Sequence, residues 1–242
     1  MTKAEYISYI IEAFASNGLS SMINQEKAEK FYDLQCFLVD YNKITNLTAI
    51  TEEKEVILKH FIDCAGVAEH IEEGASIIDV GCGAGFPSLP IAIVRPDVSV
   101  TSLDSTGKKI EFVNKAIVKL GLSKSNAVCA RAEEYVQDHR EVYDTCVSRA
   151  VARLNILSEL CLPLVKVNGT FLAMKSTKGS EELSEATKCI TTLGAKHSNT
   201  FVSVYSLEAL APIERELQIF TKQSPTPKQY PRKYSQILKK PL

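Results

Sequence analysis

The 242-residue sequence predicts an α/β fold: a mainly parallel seven-stranded sheet with helices on both faces, preceded by helices at the N-terminus. Three observations predict it. Short apolar runs alternate with segments of helical period from residue 76 onward, the βαβ pattern of a parallel sheet. The first run enters a turn with glycine at every second position, Gly81, Gly83 and Gly85, and then an apolar helix, which is where open α/β sheets bind ligands. Two late runs follow one another with no helix between them, which places one antiparallel strand near an edge.

Taken in order, residues 3–16 carry Tyr6, Ile7, Ile10, Ile11 and Phe14 at helical spacing, with Gly18 as the stop. A second helix fits residues 25–41, with Ala28, Phe31, Leu34, Leu38 and Tyr41 on one face. Residues 42–51 read as a loop ending in Thr51 as N-cap, with Lys54 at N3, so that the capping box is half met. A third helix over residues 52–71 carries Val56, Ile57, His60, Phe61, Cys64 and Val67, and Gly74 ends it. Strands are expected at 76–80, 98–103, 127–130, 145–148, 169–174, 199–205 and 214–222, with helices at 107–120, from Arg153 to Leu164, and at 180–193. Pro163 weakens the last turn of the middle one. Residues 1–73 thus form a helical N-terminal extension, and residues 74–242 a sheet domain with a C-terminal tail.

Composition bounds the function. There is no apolar run of 18 residues and no basic-then-apolar leader, so neither a membrane span nor an export signal is expected. The seven cysteines are odd in number and never spaced Cys-x-x-Cys, as reduced cytoplasmic thiols are, with no zinc or other metal site. The net charge of −1 hides an asymmetry: residues 1–73 hold six Lys/Arg against thirteen Asp/Glu, whereas residues 223–242 hold five Lys/Arg and no acid. The tail is either the contact of a polyanion such as nucleic acid or a solvated terminus.

The glycine turn narrows the ligand. A dinucleotide fingerprint needs Gly or Ala at its sixth position; counting from Gly81 gives Phe86, and from Gly83 gives Ser88. The phosphate-cradling Gly-Lys-Ser/Thr is absent. What stands there is Asp79-x-Gly81-x-Gly83-x-Gly85, which resembles the first motif of the S-adenosylmethionine-dependent methyltransferases of the Rossmann-like class, although a glycine turn without a ligand would read the same. The residues that follow the later strands suit the same cofactor. Asp104 ends strand two, where a carboxylate accepts both ribose hydroxyls, as it also would in an NAD enzyme. Ala132 and Glu133 follow strand three, where a backbone N–H beside a carboxylate reads an adenine edge; Glu133 also suits a helix first turn. Arg149 ends strand four, in reach of a cofactor carboxylate or of RNA.

Negative evidence narrows the reaction. Exocyclic-amine methylation goes with Asn/Asp-Pro-Pro-Tyr/Phe after strand four, and this chain has Ser148-Arg149-Ala150-Val151-Ala152. Cytosine C5 methylation needs an attacking thiolate, often in a Pro-Cys pair, and none occurs. No cluster of Asp or Asn near strand four suits a metal-dependent O-methyltransferase. A nucleophile with a free lone pair, such as guanine N7, needs neither covalent attack nor proton removal, and its methylation rests on proximity and alignment.

Six segments together resemble the RsmG (GidB) family of bacterial 16S ribosomal RNA guanine-N7 methyltransferases: Asn42-Lys43-Ile44-Thr45-Asn46-Leu47-Thr48, Lys59-His60-Phe61-Ile62-Asp63, the glycine motif through Phe86-Pro87, Ser148 to Ala152, Met174-Lys175, and Tyr230-Pro231-Arg232-Lys233. They run nearly the whole chain in the family's order. The resemblance implies a monomeric, cytoplasmic, Rossmann-like class I methyltransferase using S-adenosylmethionine. Its implied partner is 16S rRNA or the small ribosomal subunit, and its target N7 of one guanosine, guanosine 527, in the decoding-region loop. Cofactor positions carry over to Gly81, Phe86, Ala132, Glu133 and Arg149, beside the Gly83, Asp104 and Asp79 read above. His60, Arg153, Lys175, Arg232 and Lys233 are the candidates for RNA. Some of these segments have a plainer reading too: His60 as a structural histidine, Lys59 and Asp63 as a surface i,i+4 pair, Lys175 as an edge lysine. Two departures from the family pattern are Cys82, in place of a small residue, and Gly107 before Lys108-Lys109. A small-molecule methyltransferase and a non-catalytic RNA-binding module are the alternatives.

Overall fold

Asp104, Gly81 and Arg149 end three adjacent strands at one level of the sheet, and the fold is best followed from the register that aligns them. In the computed structural model, which describes residues 1–149, 152–176 and 179–242, the strands are β1 (Ser76–Val80), β2 (Ser99–Asp104), β3 (Ser125–Cys129), β4 (Tyr143–Arg149), β5 (Val165–Lys175), β6 (Ala195–Tyr205) and β7 (Ile213–Lys222). Their order is β3-β2-β1-β4-β5-β7-β6. All neighbours are parallel except β7, which runs antiparallel to both β5 and β6. Val80 pairs with Leu103, and Asp79 with Val147, so the next residues along each strand bring Asp104, Gly81 and Arg149 level. The chain winds outward in both directions from β1 and β4, and their carboxyl ends form the switch point at which such sheets open a cleft.

Side-chain alternation assigns each face its helices. Ile77, Val100, Val147, Leu172 and Leu217 face one way and join a core with the N-terminal helices, with Ser88–Val94 and with Gly107–Leu120. Ile78, Val80, Cys146, Phe171 and Phe220 face the other way, toward Leu154–Cys161, Gly179–Thr192 and the C-terminal helix. The helices α1 (Lys3–Ser16) and α2 (Gln25–Asn42) form as their patterns predict, α1 with a full capping box between Thr2 and Glu5 and α2 with Asn24 as N-cap. They share one core with the sheet. Rings of Phe14, Phe31, Phe61 and Phe86 run from α1 into the glycine turn, with successive centroids 5.5, 4.7 and 6.3 Å apart.

Four details differ from the sequence reading. The third helix is not continuous over 52–71. It passes from α-helical Glu53–Val56 through a π-helical segment, Ile57–Ile62, to a short α-turn, Asp63–Ala65, and a tight 3₁₀ end, Gly66–His70. Its N-cap is Glu52, whose carboxylate accepts from the Glu55 N–H, and not Thr51. Gly66 lets Tyr205 of β6 pack closely against this end, because a Cβ there would collide with the Tyr205 hydroxyl. Strands β3 to β7 all begin earlier than expected, by one to four residues. Pro163 sits in a 3₁₀ turn, Leu162–Leu164, after a helix that ends at Cys161. Finally, the basic tail is not a loose extension: Tyr234–Lys239 is helical and buries Ile237. No helix among the described residues is long and apolar enough to cross a membrane.

Candidate active site

Two cavities open along the carboxyl edge of the sheet and share Gly81. The smaller, about 170 Å³, is lined by Asp104, Ala132, Glu133, Leu160 and Tyr234 among others. The larger, about 630 Å³, is lined by Gly83, Phe86, His60, Arg149, Lys175 and Arg215 among others. The glycine turn is the ridge between them. Gly81, Gly83 and Gly85 all have positive φ, at 77°, 57° and 82°, which is open to glycine at no steric cost. They differ in what surrounds them. A Cβ on Gly85 would lie 2.5 Å from Leu89, so this glycine lets the helix Ser88–Val94 close on the turn. A Cβ on Gly83 would meet nothing within 4 Å; it would project into open cleft.

Asp104 braces the turn from β2. Its Oδ2 accepts from the Gly83 N–H at 3.0 Å and its Oδ1 from the Thr106 N–H at 2.8 Å, and each oxygen keeps a lone-pair site for a further donor. Asp79 braces it from below. Fully buried, it accepts the Ser88 N–H at 3.0 Å through Oδ2, while Oδ1 has no partner. Burial pushes its carboxyl up to about 7. Asp79 does not line either cavity; it fixes the turn that does.

The wall of the large cavity is a charged cluster centred on Asp63, which is 2 % exposed. Arg149 Nη1 donates to Asp63 Oδ2 at 3.2 Å and to the Lys59 carbonyl at 2.9 Å. From β7, Arg215 Nε lies 3.2 Å from Asp63 Oδ1, an ion-pair contact without hydrogen-bond alignment. Arg149 also faces the Phe86 ring, 5.6 Å from its centroid. His60 stacks on the same ring, with centroids 4.4 Å apart and planes 16° from parallel. Its Nδ1 lies 3.1 Å from both Arg149 Nη2 and the Lys59 carbonyl oxygen, and its Nε2 lies 3.2 Å from Thr48 Oγ1. Burial, and then Arg149, hold the His60 pKa down to about 3, so the ring is neutral. The π-helical segment carries both Lys59 and His60 to this wall, and such segments recur at functional sites. Lys175, at the end of β5, gives its ammonium to Glu182 at 2.8 Å and to the Ala152 carbonyl at 2.9 Å.

The sequence-predicted residues therefore divide. Gly81, Asp104, Ala132 and Glu133 meet at the small cavity, and Gly83, Phe86, Arg149, His60 and Lys175 at the large one. Arg153 is an exposed side chain paired with Glu185. Arg232 is held by the fully buried Glu159, a structural ion pair, and Lys233 is exposed beside it. The alternative reading of Lys59 and Asp63 as a surface pair fails: Lys59 pairs with Glu55, one turn back, and Asp63 turns inward to the two arginines. Of the segment after β4, Ala150 and Val151 lie outside the described residues. Sequence reasoning missed Arg215 and Tyr234. Arg215 sits in an ordinary alternating strand, and Tyr234 just past the Tyr230–Lys233 motif in a tail otherwise read for its charge.

A family model described as rRNA small subunit methyltransferase G, GidB, matches residues 24–209. A protein of Clostridium perfringens strain 13, named ribosomal RNA small subunit methyltransferase G, is 42% identical over 242 residues, which covers 98% of this chain and 99% of the relative. One of the same name from Staphylococcus epidermidis strain ATCC 12228 is 44% identical over 240 residues, covering 98% of each. Among solved structures, M. jannaschii TYW2 in complex with AdoMet superposes with a TM-score of 0.54 at 13% identity, over 66% of this chain and 74% of that one. At that identity the likeness is one of fold.

Proposed function

The chain belongs to the GidB family, the rRNA small subunit methyltransferases G, and we propose that it moves the methyl group of S-adenosylmethionine to N7 of a single guanosine in the decoding-region loop of 16S rRNA, acting as a cytoplasmic monomer.

The residues present suit the cofactor. Gly83 leaves open space where any other residue would place a Cβ, and the two cavities meeting at Gly81 offer an adenosine end and a methionine end. When bound, S-adenosylmethionine supplies a methyl group activated by its sulfonium. Asp104 and Glu133 take the ribose and adenine side, with the remaining lone pairs of Asp104 accepting hydroxyls. Arg149, at the far side of Gly81, faces the methionine side or the RNA.

One observation carries the assignment to a lone-pair nucleophile. Every acid that lines the large cavity is committed to a cation: Asp63 to Arg149 and Arg215, Glu182 to Lys175. The histidine there is neutral, its pKa held down to about 3 by burial and by Arg149. Such a wall is poor at taking a proton, and methylation at guanine N7 asks for none. It is good at receiving an anion or a polar base edge: Lys59, Arg149, Lys175 and Arg215 surround a space beside the His60–Phe86 stack. A loop guanosine is already partly unstacked, so its presentation costs less than flipping from a duplex.

The test is transfer from radiolabelled S-adenosylmethionine to purified 16S rRNA and to small subunits, followed by digestion and nucleoside chromatography. The expected product is 7-methylguanosine. Label in another nucleoside overturns the N7 assignment, and label only in small metabolites overturns the RNA substrate.

A further inference from the structure

We propose that the C-terminal segment, residues 223–242, is a fixed strap that completes the cofactor cleft, with the Tyr234 ring packing against the adenosine end of S-adenosylmethionine. The inference rests on the cofactor reading above and assigns the basic tail to the cofactor, not to RNA.

The strap is pinned along its length. After β7, the Gln223 and Ser224 N–H groups both donate to the Gly194 carbonyl, at 2.7 and 3.0 Å. Thr226 donates its N–H to Glu141 at 2.7 Å and its hydroxyl to the Leu193 carbonyl at 2.8 Å. Arg140 then holds three strap carbonyls, Thr226 at 2.7 Å, Pro227 at 3.0 Å and Tyr230 at 2.8 Å. The last fastening is the strongest. Glu159, fully buried, accepts the Arg232 backbone N–H at 2.9 Å, its Nε at 2.8 Å and its Nη2 at 2.6 Å. A buried carboxylate of this kind needs its counter-ion, so Arg232 is not at liberty to neutralise a phosphate.

The strap's position follows from that latch. Two residues beyond Arg232 the chain turns into the helix Tyr234–Lys239, whose Ile237 is fully buried. Tyr234, its first residue, lines the small cavity together with Asp104, Ala132, Glu133 and Leu160. Leu160 belongs to the same helix as Glu159, so one helix both anchors the strap and forms part of the cavity wall. The Tyr234 hydroxyl makes no hydrogen bond among the described residues; what it offers the cavity is a flat, apolar ring, the group on which a purine packs.

Calorimetry on the full chain tests this, with S-adenosylmethionine and S-adenosylhomocysteine as ligands and Tyr234→Ala and Tyr234→Phe as variants. Tyr234→Ala is expected to weaken both ligands equally, by about tenfold, the size of one lost base–aromatic contact. Tyr234→Phe keeps the wild-type affinity, and shows that a loss in the alanine variant is one of contact when the two variants melt together. Filter binding of 16S rRNA is expected to be unchanged by Tyr234→Ala. An alanine variant that binds both ligands within twofold of wild type overturns the proposal, as does one that loses RNA and keeps the cofactor. Failure of the wild-type chain itself to bind S-adenosylmethionine overturns the cofactor reading instead, and the strap's role with it.

Discussion

Replacing Asp79 by asparagine separates the cost of this residue from its use. Asp79 lies under the glycine turn with no exposed surface, one oxygen bonded to the Ser88 N–H and the other unpaired. Burial raises its carboxyl from the ordinary 3.8 to about 7. The sign is the reverse of a salt-bridged acid. Between pH 4 and pH 7 the unfolded chain has lost this proton and the folded one keeps it, so the folded state binds more protons and its stability falls as pH rises. At about 1.4 kcal/mol per pH unit, the full difference has a ceiling of about 4 kcal/mol, reached above pH 7 and absent below pH 4. Asparagine keeps the Ser88 bond through its carbonyl oxygen and does not titrate. Urea unfolding of both proteins at half-unit steps from pH 4 to pH 8 is the assay. The stability of wild type relative to Asp79→Asn is expected to decline through that window, by about 2–4 kcal/mol in all. A relative stability that is flat with pH, or that rises, would refute the argument that this carboxylate is buried without compensation.

Three further perturbations probe the site. Arg149→Ala is expected to abolish methyl transfer and, because it removes one of two cations from buried Asp63, to cost about 2–3 kcal/mol in urea unfolding, below the roughly 3–5 kcal/mol of a fully broken buried pair; unchanged activity would show that the residue is misplaced. Gly83→Ala is expected to fold with a penalty of about 1–2 kcal/mol for its positive φ and to lose S-adenosylmethionine affinity in calorimetry, whereas Gly85→Ala, whose Cβ meets Leu89, is expected to melt at a lower temperature than Gly83→Ala. His60, held neutral down to about pH 3 by burial and Arg149, is expected to show no titration of its ring resonances by NMR between pH 5 and 8; because the unfolded histidine gains its proton below about 6.5, this residue lowers stability as pH falls through that value.

Much of the fold is legible along the chain because local pattern and tertiary role agree. The helix Gly107–Leu120 has the bounds its apolar period predicts, and β1 is where its apolar run lies. The candidate site was legible where a residue type follows a strand end: Asp104 and Arg149 stand level with Gly81 because parallel register puts successive strand ends in one row. What stayed hidden depends on tertiary contact. The π-helical segment has an ordinary helical sequence, and only its packing against the sheet and the site sets its path. Asp63 reads as a surface partner for Lys59 at i,i+4, yet two arginines from β4 and β7 draw it inward. Arg232 reads as a free cation in a basic tail, because its partner Glu159 lies 73 residues earlier within an apolar helix. Charge counted along a tail says nothing of which charges are already spoken for.

The central claim is that the cleft delivers a methyl group to guanine N7 in small-subunit rRNA, and it is tested most directly on the RNA itself. Reductive cleavage at 7-methylguanosine, followed by primer extension across the decoding-region loop of 16S rRNA, reads both the position and the atom. In a strain lacking this protein, the account predicts loss of the stop at one guanosine, its return with the wild-type chain and its continued absence with Arg149→Ala. A stop at full strength in the deletion strain would contradict it.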